Sequence, residues 1–150
     1  MKGRKRHLLV DTQGFVLKVV VSAANVQDRD GARLLAHALR FYGPQFPRLS
    51  LVWADAAYGG QLVEDLREQM GWTVEVVKRS DTQPRSAFAV QPHRWIVERT
   101  FSWLGGCRRL SKDYEYQVES SEALIYTAMS HLMLRRLARS PTNGFRTAGA

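Results

Sequence analysis

The sequence predicts an α/β domain in which an antiparallel hairpin feeds a mixed sheet with helices on its faces. Three observations carry this expectation. A β-branched run, Phe15-Val16-Leu17-Lys18-Val19-Val20-Val21, follows a turn built from Asp, Gln and Gly. A nearly continuous apolar run, Leu49-Ser50-Leu51-Val52-Trp53-Ala54, ends in Asp55. Strand, helix and strand patterns then succeed one another up to Val77, as in a right-handed crossover unit.

Taken in order, His7 to Val21 reads as two strands around Asp11-Thr12-Gln13-Gly14, where Gly14 is free to take positive φ. Asp28 is a candidate N-cap for a helix from Gly31 to about Phe41, with Ala32, Leu35, Ala36 and Leu39 at helical spacing. Pro44 and Pro47 bracket a loop. The 49–54 run, apolar on both faces, predicts a central parallel strand covered on two sides. Gln61 to Met70 reads as a helix stopped by Gly71, and Trp72 to Val77 as the next strand. Lys78 to Pro92 has no periodicity and reads as a loop. A helix follows from near His93 to Leu104, ended by Gly105-Gly106. The last helix is expected from Ser120 or Ser121, with Glu122 in its first turn. Its buried stripe would be Ala128, Met129, Leu132 and Met133, and Arg135, Arg136 and Arg139 suit its C-terminal end.

Composition narrows the function. At 150 residues the chain fits one domain large enough to hold a core. One cysteine, Cys107, excludes an intrachain disulfide framework and a multi-cysteine zinc site. No apolar run approaches the ~18 residues of a membrane span, and Leu8-Leu9-Val10 is too short for a signal-peptide core. The expectation is a soluble, intracellular domain. Lys and Arg number 22 against 14 acids, a net charge of +8, which favours a polyanionic partner such as nucleic acid. The same excess also fits a basic protein whose charge only aids solubility.

Two acids stand out by position. Asp55 closes an apolar strand and enters a glycine-containing loop, where ligands bind in open α/β sheets. Glu98 lies mid-helix, four residues after Arg94 and so on the same helix face. Carboxylates from separate elements are what hard cations such as Mg2+ or Mn2+ require, and paired ions can activate a nucleophile at a phosphodiester. By themselves the residues leave a second reading open: Asp55 as a turn or helix-capping aspartate, Glu98 as an exposed pair with Arg94. His7, His37, His93 and His131 lack metal-ligand spacing and read as structural. Trp95, Phe101 and Trp103 read as core or groove aromatics, and Cys107 as a free thiol. The basic groups at Met1–His7, Lys78-Arg79 and Arg108-Arg109 are either solvated faces or phosphate contacts.

Several strings together resemble one family. Lys2-Gly3-Arg4-Lys5-Arg6-His7-Leu8-Leu9-Val10-Asp11-Thr12, Asn25-Val26-Gln27-Asp28-Arg29-Asp30-Gly31-Ala32, Trp53-Ala54-Asp55-Ala56-Ala57-Tyr58, Arg94-Trp95-Ile96-Val97-Glu98-Arg99-Thr100-Phe101-Ser102-Trp103-Leu104 and Cys107-Arg108-Arg109-Leu110-Ser111-Lys112-Asp113-Tyr114-Glu115 are similar to insertion-sequence transposases of the aspartate-aspartate-glutamate (DDE) class. The resemblance runs over residues 2–139 in the same order. It implies an RNase H-like mixed sheet flanked by helices over 1–139, followed by a flexible tail at 140–150. It also implies DNA transposition: metal-dependent cleavage and strand transfer at element ends, with two Mg2+ or Mn2+ ions in the intact enzyme. Asp55, within Asp-x-x-Tyr, matches the family's second acid, and Glu98, within Arg-x-x-x-Glu, matches the third. Both would be catalytic metal ligands. Lys5, Arg6, Arg94, Arg99, Arg108, Arg109 and Lys112 would contact DNA.

One departure shapes the expectation. The family's first aspartate lies upstream of the Lys-Gly-Arg-Lys-Arg-His segment, so the chain is expected to lack the first strand and its acid. Asp11, in the hairpin turn, and Asp28, at a helix start, are poor substitutes. Gly106 stands where relatives often carry arginine. The chain is therefore expected to be an inactive or complementing fragment, partnered by the element's terminal repeats, target DNA, and a second copy or an upstream fragment. It would act in the bacterial cytoplasm on nucleoid DNA. A non-catalytic DNA-binding remnant is the alternative, and a reading frame that never folds stably is a third.

Overall fold

The computed structural model describes residues 3–41, 46–55, 58–77 and 93–139. The loop expected at 78–92 and the tail at 140–150 lie outside them. Strands β1 (Arg4–Val10) and β2 (Val16–Ala23) form the expected antiparallel hairpin. Asp11 makes its turn: the carboxylate Oδ1 accepts from the backbone N–H of Gln13 (2.9 Å) and of Phe15 (2.8 Å). Gly14 takes φ 84°, and a Cβ there would stand 2.9 Å from Thr100 Oγ1. That hydroxyl in turn donates to the Gly14 carbonyl at 2.7 Å, fastening the turn to a helix far along the chain.

Helix α1 (Asp28–Phe41) starts three residues before the expected Gly31. Asp28 is a first-turn residue and not the cap, because the Gln27 carbonyl already accepts from the Gly31 N–H at 2.9 Å. The Asp28 carboxylate instead takes Lys5 Nζ at 3.1 Å. Helix α2 (Gln61–Met70) ends as expected on Gly71, whose φ of 69° lets its N–H bond back to the Arg67 carbonyl. It connects β3 (Leu51–Asp55) to β4 (Thr73–Val77), which pair in parallel. Helix α3 (Arg94–Gly105) leads through a 3-10 turn (Arg108–Leu110) to α4 (Val118–Arg139).

The single mixed sheet requires correction. Among the described residues there are two separate two-stranded sheets, β1-β2 and β3-β4. Strand β3 is parallel but not central, and its exposed Trp53 and Asp55 show why an apolar run alone overstates burial. The last helix also begins earlier, at Val118, so Glu122 lies beyond its first turn. Its buried stripe is Ser121, Ile125 and Met129 at i, i+4 spacing, flanked by half-buried Ala128 and Leu132, whereas Met133 is exposed.

Alternation in the hairpin decides the packing. Val19 and Val21 face α4 and share a core with Leu104, Leu110, Ile125 and Met129. The outer edge of β2 is covered as well: its N–H groups at Val19 and Val21 donate to Tyr126 Oη (3.1 Å) and Glu122 Oε1 (2.8 Å). The opposite face carries Lys5 and His7 toward α1. A second, smaller core joins Ala36 of α1 to Leu62 and Leu66 of α2.

At Gly31 the helix and the hairpin pack tightly, since a Cβ there would collide with the His7 imidazole. A ring buried in the interior cannot move aside as a surface side chain does, so Gly31→Ala is an overpacking substitution. It is expected to lower stability by roughly 2 kcal/mol in urea unfolding. A midpoint unchanged or raised, as helix propensity alone would give, contradicts this packing.

Candidate active site

The end of β3 and the second turn of α3 meet at a cavity of about 360 Å3, walled also by β1, α1, α2 and β4. Asp55 and Glu98 are both among its lining residues. Asp55 arrives there as the last residue of β3. Glu98 arrives because α3 is fastened to the hairpin turn through Thr100 and Arg99. Most of the wall is apolar, with His7, Tyr58 and His93 adding polar groups. A second cavity of about 770 Å3 adjoins β1 and β3 on the hairpin-turn side, lined by Val10, Gln13, Leu17, Leu51 and Ile96 among others.

Charge shapes this cavity. Burial pushes the Tyr58 hydroxyl above its usual value of 10.0, and the negative carboxylates of Asp28 and Asp55 push it the same way. Tyr58 is thus a neutral donor beside the cavity across the physiological range. Two carboxylates supply the oxygen donors that Mg2+ or Mn2+ takes, so the chemistry of the lining fits part of a hard-cation site. Among the described residues no group of three or more His, Cys, Asp and Glu side chains converges. Asp11 and Asp28 stay in the turn and at the α1 start, bonded as described above.

The basic residues expected to meet DNA divide into three groups. Lys5 donates to the Val26 carbonyl (2.9 Å) as well as Asp28. Arg6 donates to the carbonyls of Leu110 (2.9 Å) and Lys112 (3.4 Å), and Arg109 pairs with Glu115 at 2.7 Å. Arg99 donates to the Gln13 carbonyl at 2.6 Å, with its guanidinium 4.4 Å from the Trp95 ring and 4.7 Å from the Trp103 ring. These four have partners within the fold, three of them far along the chain and Arg109 in an exposed local pair. Arg108 and the Lys112 side chain are exposed. The side chain of Arg94 and the Lys78-Arg79 pair lie outside the described residues.

Sequence reasoning passed over two contributors, Arg4 and the Trp53–His93 contact, and read His7 as structural, as it is. Arg4 bonds Asp113 (3.3 Å) and the carbonyls of Glu115 (3.0 Å) and Tyr116 (2.6 Å). Trp53 and His93 stack beside the cavity, and only the place of Trp53 on the same strand face as Asp55 hinted at it. His7, read as structural, is buried with Nε2 2.8 Å from Ser22 Oγ.

Burial pushes the His7 imidazole below its usual 6.5; the Asp28 carboxylate opposes this and the Lys5 ammonium adds to it. The folded state therefore resists a proton that the unfolded chain accepts, and stability is lost as pH falls from about 6.5 through the lowered value. The urea midpoint is expected to drop as pH falls below about 6.5, and His7→Asn is expected to flatten that drop. An equal slope in the variant contradicts the assignment.

The chain is 29% identical over 129 residues to the putative transposase for insertion sequence element IS402 of Burkholderia cepacia, covering 82% of this chain and 59% of that relative. It thus spans about three-fifths of the relative's length. No solved structure matches it. The family model for the transposase DDE domain matches residues 1–133, nearly the whole of the described fold, and the chain belongs to that family.

Proposed function

We propose that this chain forms the larger part of a catalytic domain that cleaves and rejoins DNA phosphodiesters at insertion-sequence ends, with Asp55 and Glu98 as two of its metal-holding carboxylates. The single observation that carries the reading is that both acids, from separate elements, line one cavity. The named IS402 relative and the DDE family support DNA transposition as the role. Bound there, divalent ions would supply the activation of water or a 3′-hydroxyl and the stabilisation of the leaving oxygen. Asp55 and Glu98 would hold them by oxygen ligation. Tyr58, kept protonated, would donate a hydrogen bond at the cavity wall. Arg108 and Lys112 would hold backbone phosphates, positioning DNA without reading its sequence. The site of action would be nucleoid DNA in the bacterial cytoplasm.

The reading extends to the strand expected to be missing. Among the described residues β1 pairs with β2 alone and β3 with β4 alone, so each has an unpaired edge. Both strands line both cavities. A further strand entering between them would satisfy both edges and join the two small sheets into one RNase H-like sheet. An acid on that strand would be the third ligand. Its source would be an upstream segment or a second copy of the chain.

Nicking of terminal-repeat DNA in Mn2+ tests this reading. The isolated chain is expected to nick poorly, and addition of an upstream segment carrying an aspartate-bearing strand is expected to restore cleavage. In that mixture Asp55→Asn or Glu98→Gln is expected to reduce the rate at least ~100-fold, since even outer-shell partners of a metal are worth 10–100-fold. Robust cleavage by the chain alone refutes the completed-strand reading. DNA binding that depends steeply on salt yet is indifferent to both substitutions, with no cleavage, favours a binding remnant instead.

A further inference from the structure

The ring stack between Trp53 and His93 joins the two elements that carry the acids. The indole and imidazole centroids lie 4.1 Å apart with their planes 8° from parallel. Trp53 is itself held from the other side, where its Nε1–H donates to Glu75 Oε2 at 2.8 Å. Glu75 is the residue directly opposite Trp53 in the β3-β4 pairing, so the indole cannot turn without breaking a cross-strand bond. Two residues further along β3, on the same strand face, is Asp55.

His93 is as constrained as Trp53. It immediately precedes α3 and has φ 67°, the one positive-φ residue other than glycine among the described residues. L side chains rarely adopt this conformation, and it persists where surrounding contacts over-determine it. The stack is such a contact. Five residues later on the same helix stands Glu98. Strand β3 otherwise pairs with β4, and α3 packs on β1, the 3-10 turn and α4.

We propose that the Trp53–His93 stack is a clamp that sets the spacing of Asp55 and Glu98, and that both aromatic residues are positioning residues for the cation site. This rests on the metal-holding role proposed above. Neither ring need touch an ion or substrate. Their part is to keep the α3 N-terminus seated on β3, so that two carboxylates from different elements address one point.

His93→Gly separates positioning from folding. Glycine adopts the left-handed conformation without strain, so removal of the ring is not expected to lower the melting temperature. Mn2+ affinity, read by electron paramagnetic resonance of the free ion in titrations of the full chain mixed with the upstream segment that carries the third acid, is expected to fall about tenfold or more. His93→Phe, which keeps a ring over Trp53, is expected to stay within about twofold of the parent chain. Equal Mn2+ affinity in the parent, Gly and Phe chains overturns the clamp while leaving the metal site in place. Failure of Phe to rescue the Gly loss also overturns it. A parent chain that binds no Mn2+ in that mixture, or binds it unaffected by Asp55→Asn, overturns the metal reading and the clamp's purpose together.

Discussion

Strand β1 is the wall on which the rest of the structure depends, and strict alternation of its side chains is what lets it serve. Arg4 and Arg6 point to one side and bind the segment from Leu110 to Tyr116 mainly through backbone carbonyls. Lys5 and His7 point to the other and receive α1 through Asp28 and the bare backbone of Gly31. The bonds to the Glu115 and Leu110 carbonyls are partly buried and span more than a hundred residues of chain, so the two arginines fasten this segment to the hairpin and are not loose surface charge. With both faces occupied and one edge paired to β2, β1 is left, among the described residues, with an open edge toward β3. The two cavities lie there, and so do Asp55 and Glu98.

This arrangement changes the meaning of the net charge of +8. Four of the seven cations expected to meet DNA are committed to partners within the fold: Lys5 to Asp28, Arg6 to two carbonyls, Arg109 to Glu115, and Arg99 to Gln13 between two tryptophans. Arg136 extends the same aromatic ladder, lying 4.4 Å from the Trp103 ring and 5.0 Å from that of Phe15. A basic composition is therefore not all outward-facing charge. Some of it is the means by which a strand-poor domain holds its connections.

Elements whose signals are local were legible in the sequence. The hairpin follows from Asp11 and Gly14, α2 from its stop at Gly71, and the start of α3 from the residues after His93. What escaped depended on contacts distant in the chain. A run such as Leu51–Ala54 reads as doubly buried, but whether a neighbour pairs with its second edge is a tertiary matter, and Trp53 is exposed. The start of α4 lies earlier than its sequence suggests because Ser120 and Ser121 look like caps, whereas Ser121 is buried inside the helix. Gly31 offered no hint that its missing side chain makes room for His7. Within the site, Asp55 and Glu98 stood out by chemistry and family resemblance, since acids at the end of a strand and within a helix carry their own signal. The stack beside them did not, because nothing in a tryptophan and a histidine forty residues apart announces a contact.

The claim on which everything else turns is that acids from β3 and α3 address a common point. Diffraction from crystals of the chain grown in Mn2+, measured at a wavelength where manganese scatters anomalously, tests it most directly. The account predicts an anomalous peak in the cavity between the carboxylates of Asp55 and Glu98, with oxygen from both within coordination distance. A map whose strongest peak lies on other acids, or in which the two side chains turn to different cavities, contradicts it.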